Sequence, residues 1–278
     1  GDYADPKSAG EVSYFQALAT AVSGTVGIGN IGGVAVTVGG AGATFWLILA
    51  GFLGMSTKFV ECVLGVKYRN ENPDGSVSGG PMYYLRKGFR ERGMDRGLVN
   101  LLAFYAVGIF IGALGIGNMF QSNQAYVQLN HVSGGALDGL GWLVGIILAV
   151  VVFLVIVGGI KSIAKVTEKI VPFMAVFYCL FAVIVIVLNY ASLPAAIGNI
   201  FSGAFSPEGV AGGALGTMII GFQRAVFFNE AGIGSASIAH SAVQTNEPVT
   251  EGYVSLLEPF IDTIVICTIT ALVIGTSN

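Results

Sequence analysis

Apolar residues dominate seven stretches of the chain, and each is long enough to cross a membrane as an α-helix. A helix needs about 20 predominantly apolar residues to span the hydrocarbon core. The predicted spans cover residues 12–38, 42–66, 98–128, 139–159, 169–190, 209–240 and 252–275. A shorter semi-apolar piece around Pro194 predicts a helix at the membrane interface. The pattern therefore predicts an all-α integral membrane protein with about seven transmembrane helices.

The basic residues fall mainly in two of the connections between these spans. The connection between spans two and three holds seven Lys and Arg residues, and the connection between spans four and five holds Lys161 and Lys165, with Lys169 at its edge. The loops between spans three and four and between spans five and six contain neither Lys nor Arg. The positive-inside rule places the basic loops, 67–96 and 161–169, in the cytoplasm. We expect a multi-pass protein of the plasma (inner) membrane.

The composition agrees with a membrane location. Hydrophobic residues make up 54% of the chain and charged residues 10%, against roughly 25% charged residues in a soluble domain. The three cysteines lie singly in apolar runs, so neither a disulfide framework nor a zinc site is indicated. The sequence predicts no catalytic residues, no enzyme activity and no nucleic-acid partner.

The two ends of the sequence predict a fragment of a longer protein. The chain begins at Gly1 without an initiator methionine or a signal-peptide pattern, and it stops at Asn278, directly after an apolar span.

A glycine-rich stretch, residues 23–33, lies within the first span, and five of its eleven residues are glycine. Glycine tolerates backbone angles that a helix does not use, so such a cluster favours a break in the helix. In lipid, the N–H and C=O groups freed by a break survive only where protein packs around them or where they line a cavity. The alternative is that the glycines only allow close packing between helices.

A second interruption is predicted in span six, over residues 227–237. Its Gly232–Ser235 tetrapeptide echoes Gly27–Asn30, five spans earlier and in the opposite membrane direction. Such a pair is typical of an inverted-topology repeat whose units each begin with a broken helix. We then expect a first five-helix repeat over 12–190 and the first two helices of a second repeat over 209–278, all within one transmembrane domain. About three helices would follow residue 278.

A third copy of the tetrapeptide, Gly115–Asn118, lies in span three. It weakens the similarity of the two breaks as evidence for a repeat. Apolar helices acquire such a tetrapeptide by chance.

Two broken helices that meet at the bilayer midplane form a site suited to a zwitterion and a cation. Free N–H groups attract a carboxylate, and free C=O groups hold an amine or Na⁺. Amide side chains stand at the breaks at Asn30 and Asn229, and a carboxyl group stands at Glu230. Gln121, in the outer half of span three, would face this site and form hydrogen bonds with the ligand. The alternatives are that Glu230 caps freed backbone N–H groups and that Gln121 joins two helices as an amide clamp worth about 1 kcal/mol.

Other polar residues inside the spans leave their roles open. Arg224 is expected to be the one basic residue buried in a span, as a gate residue or with its head group at the interface. Glu258 and Asp262 share a helix face, where they either line a cation path or pair with Arg224 and nearby hydroxyls. His131 and His240 are too far apart in the sequence to indicate a metal site.

Six short motifs, spread in order along the chain, resemble motifs of the alanine/glycine:cation symporters, often called sodium:alanine symporters. The motifs are QALAT at 16–20, GTVGIGNI at 24–31, GGAGATFW at 39–46, SGGPMYY at 78–84, GNMFQSN at 117–123 and FNEAGIGS at 228–235. The resemblance implies two inverted five-helix repeats, preceded by one extra helix. It also implies uptake of a small amino acid, such as alanine or glycine, with Na⁺ or, in some members, H⁺.

On this resemblance, the substrate-binding residues are expected in three places. They are Thr25, Gly27, Gly29 and Asn30 in the first broken helix, Gln121 in the third span, and Phe227, Phe228, Asn229 and Glu230 in the second broken helix. Na⁺ is expected at backbone carbonyls near Ser23, Gly24 and Gly27. The remaining Na⁺ ligands would lie outside this fragment, which by itself is expected to be incapable of transport.

The sequence leaves several alternatives open. It does not separate alanine from glycine or from the D-amino acids, nor Na⁺ coupling from H⁺ coupling, and a monomer is expected without being fixed by any motif. A seven-span receptor would need an extracellular N-terminus, which the basic loops disfavour. A channel with a glycine-lined pore is the third alternative.

Overall fold

A computed structural model describes residues 8–27, 39–206 and 213–277 of the chain, and these residues are mostly helical. Its α-helices are α1 Tyr14–Thr25, α2 Ala43–Lys67, α3 Pro81–Glu91, α4 Arg96–Ala103, α5 Tyr105–Gly112, α6 Gln121–Val132, α7 Gly141–Ile156, α8 Gly159–Leu188, α9 Leu193–Ala204, α10 Gly213–Asn229, α11 Ser235–His240, α12 Pro248–Ser255, α13 Leu257–Pro259 and α14 Thr268–Ser277. Two π-helical segments, Ala113–Phe120 and Phe260–Cys267, and a 3₁₀ turn, Tyr190–Ser192, continue them. Strands β1 Asn70–Glu71 and β2 Val77–Ser78 pair antiparallel.

Three helical segments in the described part of the chain are long and apolar enough to cross a membrane. They are Ala43–Lys67, Gly159–Leu188 and the continuous segment Pro248–Ser277, which runs from α12 through α14. They match the second, fifth and seventh predicted spans, and α7 is a shorter apolar helix at the fourth. The prediction of a helical membrane protein is confirmed, while the count of seven spans and the inverted repeat remain predictions.

One helix ends within the first glycine-rich stretch, and the second stretch separates two helices. Helix α1 ends at Thr25, and Val26 turns to an extended conformation with φ −75° and ψ 104°. In the second stretch, α10 ends at Asn229 and α11 begins at Ser235. Between them Gly232 and Gly234 adopt φ of 88° and 97°, angles that glycine accepts without steric cost.

Helix α2 lies at the centre of the described helices. It packs against α10, α11 and α12, and Ala43, Leu47 and Ala50 of α2 form an apolar core with Ala225 and Phe228 of α10. Gly221 of α10 permits this approach, because a Cβ atom there would lie 2.6 Å from the Cβ of Trp46. The second broken helix is therefore held firmly against α2.

The first broken helix packs on a different side. Leu18 and Val22 of α1, with Val26 just after it, bury their side chains against Val171 of α8 and Ile266 of the second π-helical segment. The space beyond the end of α1 is thus bounded by the fifth and seventh predicted spans.

Arg69, just after α2, ties together the two segments that flank the broken helices. Val12, before α1, forms a parallel bridge with Val243, after α11. The buried guanidinium donates hydrogen bonds to four backbone carbonyl oxygens: Ala9 at 2.6 Å, Ser241 at 2.9 Å, Val243 at 2.7 Å and Thr245 at 2.9 Å. Burial lowers the pKa of Arg69, and the nearby Glu71 carboxylate opposes that shift. We call this arrangement the Arg69 clamp.

Candidate functional site

A cavity of about 460 Å³ opens where the end of α1 faces the first π-helical segment, α6 and α8. These four elements form its walls, and Ile266 of the seventh predicted span closes it. The lining residues are Ser23, Gly24, Val26, Gly27, Gly117, Asn118, Gln121, Met174, Ala175, Tyr178 and Ile266.

The end of α1 provides the backbone of this cavity. The last carbonyl groups of a helix lack partners within it and carry the negative end of its dipole, so they favour a cation or an ammonium group. Ser23 donates its hydroxyl hydrogen to Thr20 O at 2.6 Å. Ser23, Gly24 and Gly27, the predicted Na⁺ neighbours, all line the cavity.

Polar contacts with α8 fix the position of α1. Gln16 Nε2 donates to Glu168 Oε2 at 2.9 Å, and the hydroxyls of Thr20 and Thr167 lie 3.1 Å apart. Because these contacts lie about one and a half to two and a half turns before the end of α1, they orient its last turn towards the cavity.

Gln121 lies opposite the residues that follow α1. A Cβ atom placed on Gly27 would lie 3.3 Å from both Nε2 and Oε1 of Gln121, so the amide lies directly across from the glycine backbone. A larger residue at position 27 would crowd this amide. The structure thus brings together Gly27 and Gln121, two of the predicted substrate-binding residues.

Thr25, also predicted to bind substrate, is buried, and its hydroxyl points back to Val22 O at 3.4 Å. It does not line the cavity as the described residues form it. Gly29 and Asn30, the other two predicted residues of the first break, lie outside the described residues.

The four predicted residues of the second break lie away from this cavity in the described part of the chain. Phe228 is buried in the core around α2, and Phe227 is 38% exposed. Asn229 Oδ1 accepts a hydrogen bond from the N–H of Ala231 at 3.0 Å. Glu230 adopts φ 52°, unusual for a residue other than glycine, and accepts a hydrogen bond from the Ser235 hydroxyl. In this arrangement Asn229 and Glu230 satisfy groups within the break.

Sequence reasoning missed Asn118 and Gly117 as cavity residues. Both belong to the third copy of the glycine tetrapeptide, which lies in the π-helical segment Ala113–Phe120. Such segments appear frequently at functional sites. The signal was present in the sequence, because residues 115–118 repeat the Gly-Ile-Gly-Asn of the first predicted break.

Tyr178 was also missed, and no local pattern marked it. Its hydroxyl lies 2.5 Å from the Thr270 hydroxyl, which joins α8 to α14 beside the cavity. This pair places two hydroxyl groups near the end of α1.

A second group of polar side chains is buried beneath the second break. Lys58 Nζ lies 3.0 Å from Glu258 Oε1, and both side chains are fully buried. The expectation that Arg224 is the one basic residue buried in a span is therefore wrong. Arg224 is partly exposed, and Glu258 pairs with Lys58 because α2 and α13 pack face to face.

His240, which the sequence left unassigned, belongs to this same group. Its Nδ1 is hydrogen-bonded to Glu251 Oε1, and its Nε2 lies 3.7 Å from Glu258 Oε2. Glu61 Oε2 accepts a hydrogen bond from the N–H of Gly232 in the break, at 2.9 Å. Within the described ranges, no set of three or more His, Cys, Asp or Glu side chains is arranged to hold a metal ion.

Comparison with known proteins agrees with the resemblance found in the sequence. The profile of the sodium:alanine symporter family matches residues 2–278. The chain is 46% identical over 273 residues to the sodium/alanine symporter AgcS of Methanococcus maripaludis, an alignment that covers 97% of this chain and 59% of that protein. It is 42% identical over 278 residues to an uncharacterized transporter of Haemophilus influenzae, with 97% and 59% covered.

The name of a third relative mentions both sodium and protons. The chain is 38% identical over 269 residues to the putative sodium/proton-dependent alanine carrier protein YrbD of Bacillus subtilis, covering 95% of this chain and 52% of that protein. The chain thus spans little more than half the length of these relatives. The family and these relatives are transporters, and this chain belongs to the sodium:alanine symporter family.

Proposed function

We propose that the full-length protein is a secondary active transporter that carries a small amino acid, alanine or glycine, into the cell together with Na⁺. The observation that carries the proposal is the cavity of about 460 Å³ in which the broken end of α1 faces Gln121. The carbonyl end of a helix and an amide side chain around one cavity suit a ligand with both a charged amine and a carboxylate.

The amino acid is proposed to lie between the first break and Gln121. Gly27 has no Cβ that would hold a ligand away from its backbone, and the Gln121 amide offers both a donor and an acceptor. Gly29 and Asn30 complete the first break in this proposal. Thr25 is assigned to the same site through its backbone, since its hydroxyl is directed at Val22 O.

Phe227, Phe228, Asn229 and Glu230 are proposed to reach the substrate from the second break after a conformational change. In a symporter built on two broken helices, one bundle rocks against the other around a fixed site. In this proposal, closure around the cavity would bring the second break nearer to Gln121. This assignment rests on the resemblance and on the position of the break at residues 230–234.

Na⁺ is proposed to bind at the backbone carbonyls near Ser23, Gly24 and Gly27. All three residues line the cavity, at the helix end whose dipole favours a cation. Proton coupling is the second candidate, because the relative YrbD is named a sodium/proton-dependent carrier. A channel finds less support, since the relatives are named as symporters and carriers.

The protein is proposed to lie in the plasma membrane as a monomer with loops 67–96 and 161–169 in the cytoplasm. Two inverted repeats, the first over 12–190 and the second beginning at 209, remain part of the proposal. The orientation rests on the basic residues of the two loops.

The experiment that tests the proposal is uptake of labelled alanine by the full-length protein in proteoliposomes. An inward Na⁺ gradient is compared with an equal K⁺ gradient, and empty liposomes serve as the control. Uptake with Na⁺ alone supports symport. Uptake that follows an inward proton gradient without Na⁺ supports the second candidate, and no uptake of any small amino acid under either gradient by folded protein contradicts both.

A further inference from the structure

We propose that the buried cluster around His240 binds one proton, and that this proton holds the second helix break in the arrangement seen here. The cluster consists of Lys58, His240, Glu251 and Glu258, with Glu61 beside it. The proton site itself is argued from the contacts of the cluster. Only a connection between this proton and a transport site rests on the proposed function.

Because the cluster is buried, its net charge strongly affects the stability of this arrangement. Lys58, His240, Glu251 and Glu258 are 0% exposed, and Glu61 is 5% exposed. An unpaired charge in such surroundings costs several kcal/mol, so buried groups pair or change protonation. Lys58 neutralises Glu258 across 3.0 Å. Glu251 has no such lysine within the cluster.

The geometry at His240 shows how Glu251 is neutralised. One ring nitrogen contacts Glu251 and the other lies 3.7 Å from Glu258. A neutral imidazole has one N–H and one lone pair, so it cannot donate towards two carboxylates at once. With both glutamates charged and the histidine neutral, one nitrogen lone pair would face a carboxylate.

One added proton removes this conflict in either of two ways. If it resides on the ring, the imidazolium donates towards both glutamates. If it resides on Glu251, that carboxyl group donates to Nδ1 while Nε2–H points to Glu258. Both microstates contain the same number of protons, so the pair titrates as a unit. With Lys58 and Glu258 paired, the four groups then carry no net charge.

Other titratable groups pack around His240 from the neighbouring elements. Arg69 interacts with Glu251, Lys58 interacts with Glu61 and Cys62, and Tyr84 of α3 interacts with Glu61. Helix α1, which also packs on α11, contributes Tyr14, whose hydroxyl donates to Thr245 Oγ1 at 2.6 Å. The groups around the proposed proton site are therefore Lys58, Glu61, Cys62, Arg69, Tyr84, Glu251 and Glu258, with Tyr14 nearby.

The second break and the helix that follows it are anchored to this cluster and to Glu61 beside it. His240 is the last residue of α11, which follows the break, and Gly232 in the break donates its N–H to Glu61. Loss of the proton leaves Glu251 without a neutralising partner in the cluster and repels it from Glu258. The arrangement of the break is therefore expected to loosen as the pH rises.

The test follows amide hydrogen exchange of the full-length protein in nanodiscs, without any amino acid. The pH runs from about 6 to about 9, from just below the ordinary histidine pKa near 6.5 to well above it. After correction for intrinsic exchange rates, opening of peptides covering 230–240 is expected to increase with pH. If each opening event releases one proton, the equilibrium constant for opening increases up to about tenfold per pH unit. Peptides from α7 are expected to show no such dependence.

Conservative variants locate the proton. His240→Gln and Glu251→Gln keep hydrogen-bonding capacity but remove the titrating pair, so residues 230–240 are expected to open to an extent that does not change with pH. Two matched controls, His131→Gln and Glu247→Gln, alter exposed residues of the same types and are expected to retain the wild-type profile.

Two results would overturn the proton site. One is corrected exchange at 230–240 that does not change with pH in the wild type. The other is a wild-type slope that persists in folded His240→Gln and Glu251→Gln. If neither variant folds, the wild-type protein decides whether the proton site exists. Exchange at 230–240 must then increase with pH while exchange in α7 does not. Because no amino acid is present, these results are independent of whether the protein transports alanine.

Discussion

Gln121 is the side chain on which the proposed binding site depends most directly. It stands at the junction between the π-helical segment and α6, and its amide faces Gly27 across the cavity. An amide in this position exchanges its contacts with water for contacts with a ligand, so its removal leaves ligand groups without a partner. Such a loss costs about 1–3 kcal/mol.

Gln121→Ala is therefore expected to weaken alanine binding about 5- to 150-fold in the full-length protein, the range that corresponds to this loss. The dissociation constant is measured by calorimetry in the presence of Na⁺. Gln128→Ala changes an exposed glutamine of the same helix and is the matched control. Unchanged affinity in Gln121→Ala would favour the interhelical clamp over a ligand contact.

At the scale of elements, the Arg69 clamp joins the ends of both broken helices. The guanidinium holds Ala9, before α1, and Ser241 and Val243, after α11. Hydrogen bonds from a charged donor contribute about 1.5–3 kcal/mol each and are not additive. A movement that separates the two broken helices must break this arrangement.

Arg69→Met keeps much of the side-chain volume and removes the donors. We expect amide exchange to increase in residues 8–12 and 241–245, with a loss of local stability of at least about 2 kcal/mol. Hydrogen-exchange mass spectrometry measures both segments at once. Arg90→Met, at an exposed arginine of α3, is the control. Equal protection of both segments in Arg69→Met and the wild type would show that the β-bridge alone holds them.

The elements also show what a single sequence reveals. The end of α1 at Thr25 and the break after Asn229 were predictable because glycine imposes its effect locally, through the backbone. The pairing of Lys58 with Glu258 was not predictable, since it joins residues far apart in the chain that meet only when α2 and α13 pack. The π-helical segment Ala113–Phe120 was also missed, because the hydrophobic pattern of an apolar helix does not reveal a change of helical period.

At the scale of the whole molecule, the proposed ligands share one structural element. Na⁺ is assigned to carbonyls near Ser23 and Gly24, and the amino acid to the space between Gly27 and Gln121, all around one cavity. Two ligands that order the same helix end favour the same conformation. Each is then expected to strengthen the binding of the other by the same factor.

Saturating Na⁺ is therefore expected to tighten alanine binding about 5- to 150-fold relative to K⁺, the range typical of coupled sites. Saturating alanine is expected to tighten Na⁺ binding equally, because coupling between two binding equilibria is reciprocal. Calorimetric titrations of the full-length protein in both orders measure the two factors, with choline as an inert cation. Equal alanine affinity in Na⁺ and K⁺ would remove Na⁺ from the site at the end of α1. The coupling would then have to arise elsewhere, and the buried proton at His240 is the next group to examine.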